Sequence, residues 1–144
     1  AISPEAGTAT MHVSASADSS SLLPISARQS ELFPGTEEIG VTDVEAGPLS
    51  DFVSAEDLRA PALLKIDVQG FELEVLRGAG DLLAAFEQVY VEASFEPLYE
   101  GQALADDVIA HMVAAGFAEV GRYNVSTGPD GAPIQADFLF HHKS

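Results

Sequence analysis

The sequence lacks cysteine altogether and is poor in basic residues. Its 144 residues include 6 lysines and arginines against 23 aspartates and glutamates. The absence of cysteine excludes a disulfide framework and any metal site with cysteine ligands. The net charge of −17 disfavours nucleic acid and anionic membrane surfaces as partners, because few cations are present to replace phosphate counterions. We attribute the acidity to a surface that maintains solubility rather than to a specific function.

Long apolar runs and processing segments are also missing from the sequence. No apolar run approaches the roughly 20 residues of a membrane span, and no signal peptide is visible after Ala1, the first residue. The sequence therefore predicts a cytoplasmic protein. Apolar residues nevertheless make up 47% of the chain, which is enough for one domain with a buried core.

Two further classes of site are not supported by the residues present. The four histidines are not spaced as a metal-binding cluster, and the adjacent His141 and His142 would point to opposite faces of a strand. The serine run Ser19–Ser21 is not flanked by the glycines of a nucleophile elbow. We therefore predict no metal site and no hydrolase triad.

The most informative stretch begins with an apolar run, Leu63–Val68, which is short enough for a strand and apolar enough to be buried on both faces. Gly70 follows, and a helical pattern then covers Phe71–Arg77. A strand that turns through a glycine into a helix is the first half of a β-α-β unit. Polar residues at the carboxyl end of such a strand lie where open α/β sheets bind ligands.

The rest of the chain divides into two regions within one predicted domain. Residues 1–61 are predicted to form a β-hairpin of strands Thr8–Ser14 and Glu38–Glu45, with an irregular stretch Arg28–Thr36 and a short helix in Pro48–Leu58. Residues 62–144 are predicted to form an alternating β/α core. Its further elements are a short helix around Asp81–Phe86, strand Gln88–Ser94, helix Leu104–Ala115, and a final antiparallel hairpin of Ala118–Val125 and Ala136–His141.

Several segments of the sequence resemble one enzyme family. KIDVQGFELEVLRGAG, residues 65–80, is similar to the signature of the FkbM-type methyltransferases, which use S-adenosylmethionine (SAM). The resemblance continues through YVEASFEPLYEGQ, IQADFLF and the opening AISPEAGTATMHV. It implies a Rossmann-like methyltransferase sheet, mostly parallel, with an antiparallel terminal hairpin. The glycine-rich SAM loop that the family places upstream is not in this sequence, so the amino-terminal cofactor half of the sheet is expected to be missing.

Asp67 and Glu92 are the candidate catalytic residues. Asp67 follows the predicted strand Leu63–Val68, where a carboxylate can contact the cofactor, orient the acceptor or accept its proton. The alternative is that Asp67 caps the next helix. Glu92 interrupts an apolar strand near its carboxyl end and can converge with Asp67 on one crevice. The alternative for Glu92 is a charge that faces solvent at a sheet edge.

Four neighbouring residues complete the predicted site. Gln69 and Gly70, together with Asp67, are assigned to cofactor binding; Gln69 keeps hydrogen-bonding capacity without charge, and Gly70 also suits the backbone geometry of the turn. Glu72 and Tyr99 are assigned to substrate binding. The alternative for Glu72 is a favourable position at the start of a helix dipole, and the alternative for Tyr99 is a plain connecting loop.

The resemblance implies a SAM-dependent methyltransferase that methylates oxygen on a small molecule or a sugar. The alternative is a non-catalytic binding or interaction module, derived from a methyltransferase, that no longer binds SAM. No nucleic acid or membrane partner is expected. Self-association is expected, because the strand Leu63–Val68 would present a poorly protected edge that can pair with another chain.

Overall fold

Two β-sheets and three α-helices organise residues 1–143. The computed structural model describes residues 1–143. Strands β1 (Gly7–Ser14) and β2 (Glu38–Ala46) form an antiparallel two-stranded sheet, as predicted for this hairpin. The second sheet contains β3 (Leu63–Ile66), β4 (Gln88–Ser94), β5 (Phe117–Thr127) and β6 (Pro133–His142). The α-helices are α1 (Ala27–Leu32), α2 (Glu72–Ala79) and α3 (Ala105–Ala114). The fold is therefore mixed α/β.

The order of the four-stranded sheet is β3-β4-β6-β5. Strand β3 pairs with β4 in parallel, whereas β6 is antiparallel to both of its neighbours, β4 and β5. The predicted terminal hairpin is thus present, and three of the four strands run in one direction. The expectation of a mostly parallel sheet is nevertheless wrong for the pairings, because β6 returns by a short loop and inserts between β4 and β5.

The core lies on one face of this sheet. Val89, Val91 and Ala93 of β4 are buried, and they alternate with less buried residues that point to the other face. Helices α2 and α3 cover the buried face, contributing Leu76 and Met112 among others. On the opposite face of β3, Leu63 and Lys65 are exposed. The expected burial of this strand on both faces is therefore wrong.

Two helical segments differ from the prediction. Helix α1 occupies part of the stretch predicted to be irregular, and the Ser26 side chain caps it by accepting a hydrogen bond from the Gln29 N–H. The predicted helix in Pro48–Leu58 is instead two short 3₁₀ helices, Leu49–Asp51 and Ala55–Asp57. Two further 3₁₀ helices span Ala17–Ser19 and Gly80–Ala85. Among the helices of residues 1–143, none has the length and apolar character needed to cross a membrane.

The stretch between β1 and β2, residues 15–37, is named here the β1–β2 segment. It packs against the loops at the carboxyl ends of β3 and β4. The Ser21 hydroxyl donates to the Gln69 carbonyl oxygen at 2.6 Å, and the Ser26 hydroxyl donates to the Leu98 carbonyl oxygen at 2.6 Å. These contacts bring the amino-terminal region onto the edge of the sheet where the candidate residues lie.

Candidate functional site

Asp67 and Glu92 lie at the same end of two neighbouring parallel strands. The register aligns Ile66 of β3 with Val91 of β4, so the next residues, Asp67 and Glu92, are adjacent. Both line a pocket of about 200 Å³. The β1–β2 segment contributes Asp18, Ser19, Gln29, Phe33 and Thr36 to this pocket, and the sheet side contributes Asp67, Gln69, Glu92 and Gln135. This cavity is called the Asp67–Glu92 pocket below.

The Asp67 carboxylate is held by two neighbours on its own stretch of chain. Lys65 lies 3.0 Å from one carboxylate oxygen, and the Gln69 side-chain amide donates to the other at 2.7 Å. Asp67 does not cap the following helix, whose N-cap is Phe71 with no side-chain cap bond. The alternative of a capping aspartate is therefore not supported. Because Asp67 remains partly exposed, with 39% of its side chain accessible, it can contact a ligand.

The turn after β3 has a conformation that few residues adopt. Gln69 has a φ of 55° and Gly70 a φ of 97°, both in the left-handed region. The Gly70 α-carbon packs so closely on Tyr99 that an added Cβ would lie 3.1 Å from the ring carbon Cγ. The Tyr99 hydroxyl lies 3.0 Å from the Gln69 side-chain oxygen and 3.0 Å from the Ser19 carbonyl oxygen, so it can donate to either. Tyr99 thus packs against Gly70 and can bond to the Gln69 side chain, so it contacts the turn at two residues.

Tyr99 and Glu72 are buried next to the turn after β3. Tyr99 is 1% exposed, and burial raises the pKa of its hydroxyl. Glu72 is 2% exposed, and its carboxylate accepts a hydrogen bond of 2.9 Å from the Gly70 N–H. Neither residue is among those that line the Asp67–Glu92 pocket. Their contact with a substrate stays a prediction, whereas their contacts with the turn are direct.

Burial raises the pKa of Glu72 from 4.5 to about 7, and the hydrogen bond from Gly70 only partly opposes this effect. Between these two values the unfolded chain loses the proton while the folded chain keeps it. Glu72 therefore makes the protein less stable as the pH rises from 4.5 to about 7, by a contribution on the order of 3 kcal/mol, and this loss levels off above pH 7.

We predict that Glu72→Gln removes this pH-dependent loss, because glutamine is neutral and its oxygen can still accept from Gly70. Urea unfolding at pH 5 and pH 8 measures the effect as the difference between variant and parent. The variant should gain stability relative to the parent at the higher pH. Glu56→Gln, at an exposed glutamate, is the matched control. An equal difference at both pH values would contradict the prediction.

Glu92 combines partial burial with a negatively charged neighbourhood. Burial first, and then the charges of Asp67, Asp137 and Glu72, raise the pKa of Glu92 to about 7, against the lowering effect of Lys65. The Gln135 side-chain amide donates to the Glu92 carboxylate at 3.0 Å. A carboxylate with this pKa exchanges a proton readily near neutral pH, as a general base requires.

A second cavity, of about 360 Å³, adjoins the first. Asp18, Asp67 and Gln69 line both cavities. The second cavity is otherwise mainly apolar, and its walls include Met11, Leu22, Val68, Phe71 and Val75. The hydrogen-bonded pair of Asp67 and Gln69 therefore forms a wall between an apolar cavity and a polar pocket.

Sequence reasoning missed four residues at the site, most of which other elements bring there. The contact between Lys65 and Asp67 could have been predicted from their spacing, because residues two apart on a strand share a face. Gln135 reaches Glu92 because β6 pairs with β4, where Ala136 aligns with Ala93. Ser21 and Gln29 come from the β1–β2 segment through contacts between distant residues, for which the local sequence gives no signal.

Two comparisons with known proteins both identify methyltransferases as similar to this chain. A family model described as the methyltransferase FkbM domain matches residues 1–119. The 2-O-methyltransferase NoeI of Sinorhizobium fredii is 38% identical over 63 residues, a stretch that is 44% of this chain and 26% of that relative. The chain thus matches about a quarter of the length of this curated relative. No solved structure matches the chain significantly.

Proposed function

The chain belongs to the FkbM methyltransferase family, and from this premise we propose that it serves the transfer of a methyl group from SAM to a hydroxyl oxygen of a small molecule or a sugar. Family membership supports methyltransferase activity as such. The use of SAM and the acceptor oxygen are the parts that we propose. The observation that carries the proposal is that Asp67 and Gln69 line two adjoining cavities of different chemistry.

The apolar cavity suits part of SAM. Its apolar side chains can accommodate an aromatic ring system, and the carboxylates of Asp18 and Asp67 suit the positive charge of a sulfonium. SAM supplies an activated methyl group, so the protein has to align the acceptor and remove its proton. We assign Asp67 and Gln69 to the boundary with the cofactor. Gly70 contributes through the shape of the turn rather than through a side chain.

In the proposed site, the acceptor occupies the Asp67–Glu92 pocket. Glu92 accepts the proton of the acceptor hydroxyl, because its pKa of about 7 leaves a substantial fraction of basic carboxylate at neutral pH. Asp67 orients the acceptor through its partly exposed carboxylate, and Lys65 and Gln69 fix the direction in which that carboxylate points. In this proposal Glu92 is the base and Asp67 orients the acceptor, so both catalytic candidates have a role.

The proposal is tested with the full gene product, SAM labelled in its methyl group, and a panel of acceptors that carry hydroxyl, amine or carboxyl groups. We expect label in an ether, which survives mild alkaline treatment, whereas a methyl ester would be hydrolysed. Asp67→Asn should reduce the rate without loss of the fold. Failure of the full gene product to bind SAM or to label any acceptor would instead favour a non-catalytic binding module.

We also propose that the 144-residue chain self-associates through β3. Within residues 1–143, β3 pairs only with β4, so its other edge has unpaired backbone groups. Leu63 on this strand is 56% exposed. Light scattering coupled to size exclusion should show dimers or larger species at micromolar concentration, and Leu63→Lys should reduce them. A monomer at all concentrations would contradict the proposal.

A further inference from the structure

The amide of Gln29 is buried without a complete set of hydrogen bonds. The residue is 4% exposed, and its side-chain oxygen has no hydrogen-bond partner within residues 1–143. It is the one buried side-chain nitrogen or oxygen in that range that lacks a partner. Unpaired buried acceptors are rare because they lose their bonds to water without replacement. Since Gln29 lines the Asp67–Glu92 pocket, a ligand there can supply the missing donor.

The position of Gln29 is fixed by the docking of α1. The Ser26 hydroxyl accepts from the Gln29 N–H at 3.2 Å and donates to the Leu98 carbonyl oxygen at 2.6 Å. Arg28 forms an ion pair with Glu96 at 3.1 Å, which ties the residue before Gln29 to the same loop. The Gln29 side chain is therefore presented to the pocket by a helix whose first turn is attached to the loop after β4.

The other lining groups restrict the charge of the ligand. No lysine or arginine lines the pocket, whereas Asp18, Asp67 and Glu92 bring carboxylates to it. A ligand anion would be repelled. Lining side chains also include three amides, each of which has both donors and an acceptor. Hydroxyl groups match amides because they also donate and accept, and the three carboxylates are compatible with a positive charge on the ligand but not with a negative one. The volume of about 200 Å³ has room for a small ring.

We propose that the Asp67–Glu92 pocket takes a hydroxyl-bearing ring without negative charge, and that Gln29 is a specificity residue that accepts a hydrogen bond from one of its hydroxyls. Phe33 supplies a flat apolar surface for the carbon atoms of the ring. This inference rests on the proposed function, because it treats the pocket as the acceptor site. It adds a residue outside the signature at residues 65–80, and it excludes a negatively charged acceptor.

Binding of three probes with the same ring and different charge tests the inference. Methyl glucoside is neutral, glucosamine is cationic and glucuronate is anionic at neutral pH. We expect saturation-transfer NMR with the 144-residue chain to show binding of methyl glucoside and glucosamine and no binding of glucuronate, and heteronuclear correlation spectra to show shifts of the Gln29 and Phe33 signals with methyl glucoside. Binding of glucuronate as strong as that of methyl glucoside, or no binding of methyl glucoside at high millimolar concentration, overturns the inference.

Two leucine variants distinguish a direct contact between Gln29 and the probe from a general effect of replacing glutamine by leucine. Gln29→Leu should weaken binding of methyl glucoside about tenfold, equivalent to about 1.4 kcal/mol. Gln88→Leu, the same change at an exposed position on β4, should leave binding unchanged. Circular dichroism confirms that both variants fold. If Gln29→Leu binds as well as the parent, Gln29 is not a specificity residue and the inference fails.

An assay of methyl transfer distinguishes failure of the inference from failure of the proposed function. Probe binding that requires Gln29, without any methyl transfer by the full gene product, would refute the proposed function and retain the binding site. Methyl transfer with a KM that Gln29→Leu does not change would retain the function and refute the inference. The expected result for Gln29→Leu is a raised KM with little change in kcat, because binding is weakened.

Discussion

Replacing Glu92 by glutamine is expected to lower the rate of methyl transfer by about a hundredfold or more, because glutamine cannot accept the proton of the acceptor hydroxyl. The change should preserve the fold, since the glutamine oxygen can still accept the hydrogen bond from Gln135. In the parent protein, kcat/KM should rise with pH around a midpoint near 7, where Glu92 loses its proton. Initial rates measured with labelled SAM between pH 5 and pH 9 provide both values.

The variant Asp67→Asn gives an independent check on the role of Glu92. The charge of Asp67 raises the pKa of Glu92, so its removal should shift the midpoint of the pH profile to lower pH. Glu100→Gln, at an exposed glutamate, is the matched control and should change neither rate nor midpoint. Full activity of Glu92→Gln would show that Glu92 is not the base. A large loss in Asp67→Asn with no shift of the profile would then assign that role to Asp67.

Gly70→Ala is expected to destabilise the folded chain by about 2–4 kcal/mol. Two effects add: alanine is strained at a φ of 97°, and its methyl group would lie 3.1 Å from carbon atoms of the buried Tyr99 side chain. Tyr99 cannot move away easily, because it is 1% exposed and bonded at its hydroxyl. Urea unfolding monitored by circular dichroism measures the change in the free energy of unfolding.

The control for Gly70→Ala is Gly40→Ala in β2. Gly40 has an ordinary backbone conformation and open space where a Cβ would lie, so alanine should be tolerated there with little change. Comparable stability of the two variants would mean that the turn adjusts and that its shape is not constrained. A destabilised Gly70→Ala that still binds ligands normally would show that the turn matters for the fold and not for the site.

The residues that sequence reasoning placed correctly are those governed by local rules. Strand Gln88–Ser94 was predicted with the observed bounds, because its alternation of apolar residues is regular. Asp67 and Glu92 come together because the ends of adjacent parallel strands meet at one edge of a sheet. These two facts were enough to predict a crevice with two carboxylates. They did not predict which other side chains line the crevice.

The residues that were missed depend on packing between distant parts of the chain. Gln135 reaches the site because β6 inserts between β4 and β5, an order of strands that no local pattern indicates. Gln29 lies on a helix of only six residues, which is too short for a clear periodic signal. Tyr99 was assigned to substrate binding, which stays a prediction; its contacts with Gly70 and the Gln69 side chain were missed, because a sequence does not show which side of a loop is buried.

The docking of the β1–β2 segment also bears on the order of folding. Ser19 and Tyr99 are 80 residues apart, Ser26 and Leu98 are 72 apart, and Ser21 and Gln69 are 48 apart. Contacts between such distant residues form slowly, because the entropy of closing a long loop is lost before the contact is gained. The antiparallel pair β5–β6, by contrast, is joined by a short loop. We therefore expect the β5–β6 hairpin to form before the pocket does, and the amino-terminal third of the chain to complete the site at a late step of folding.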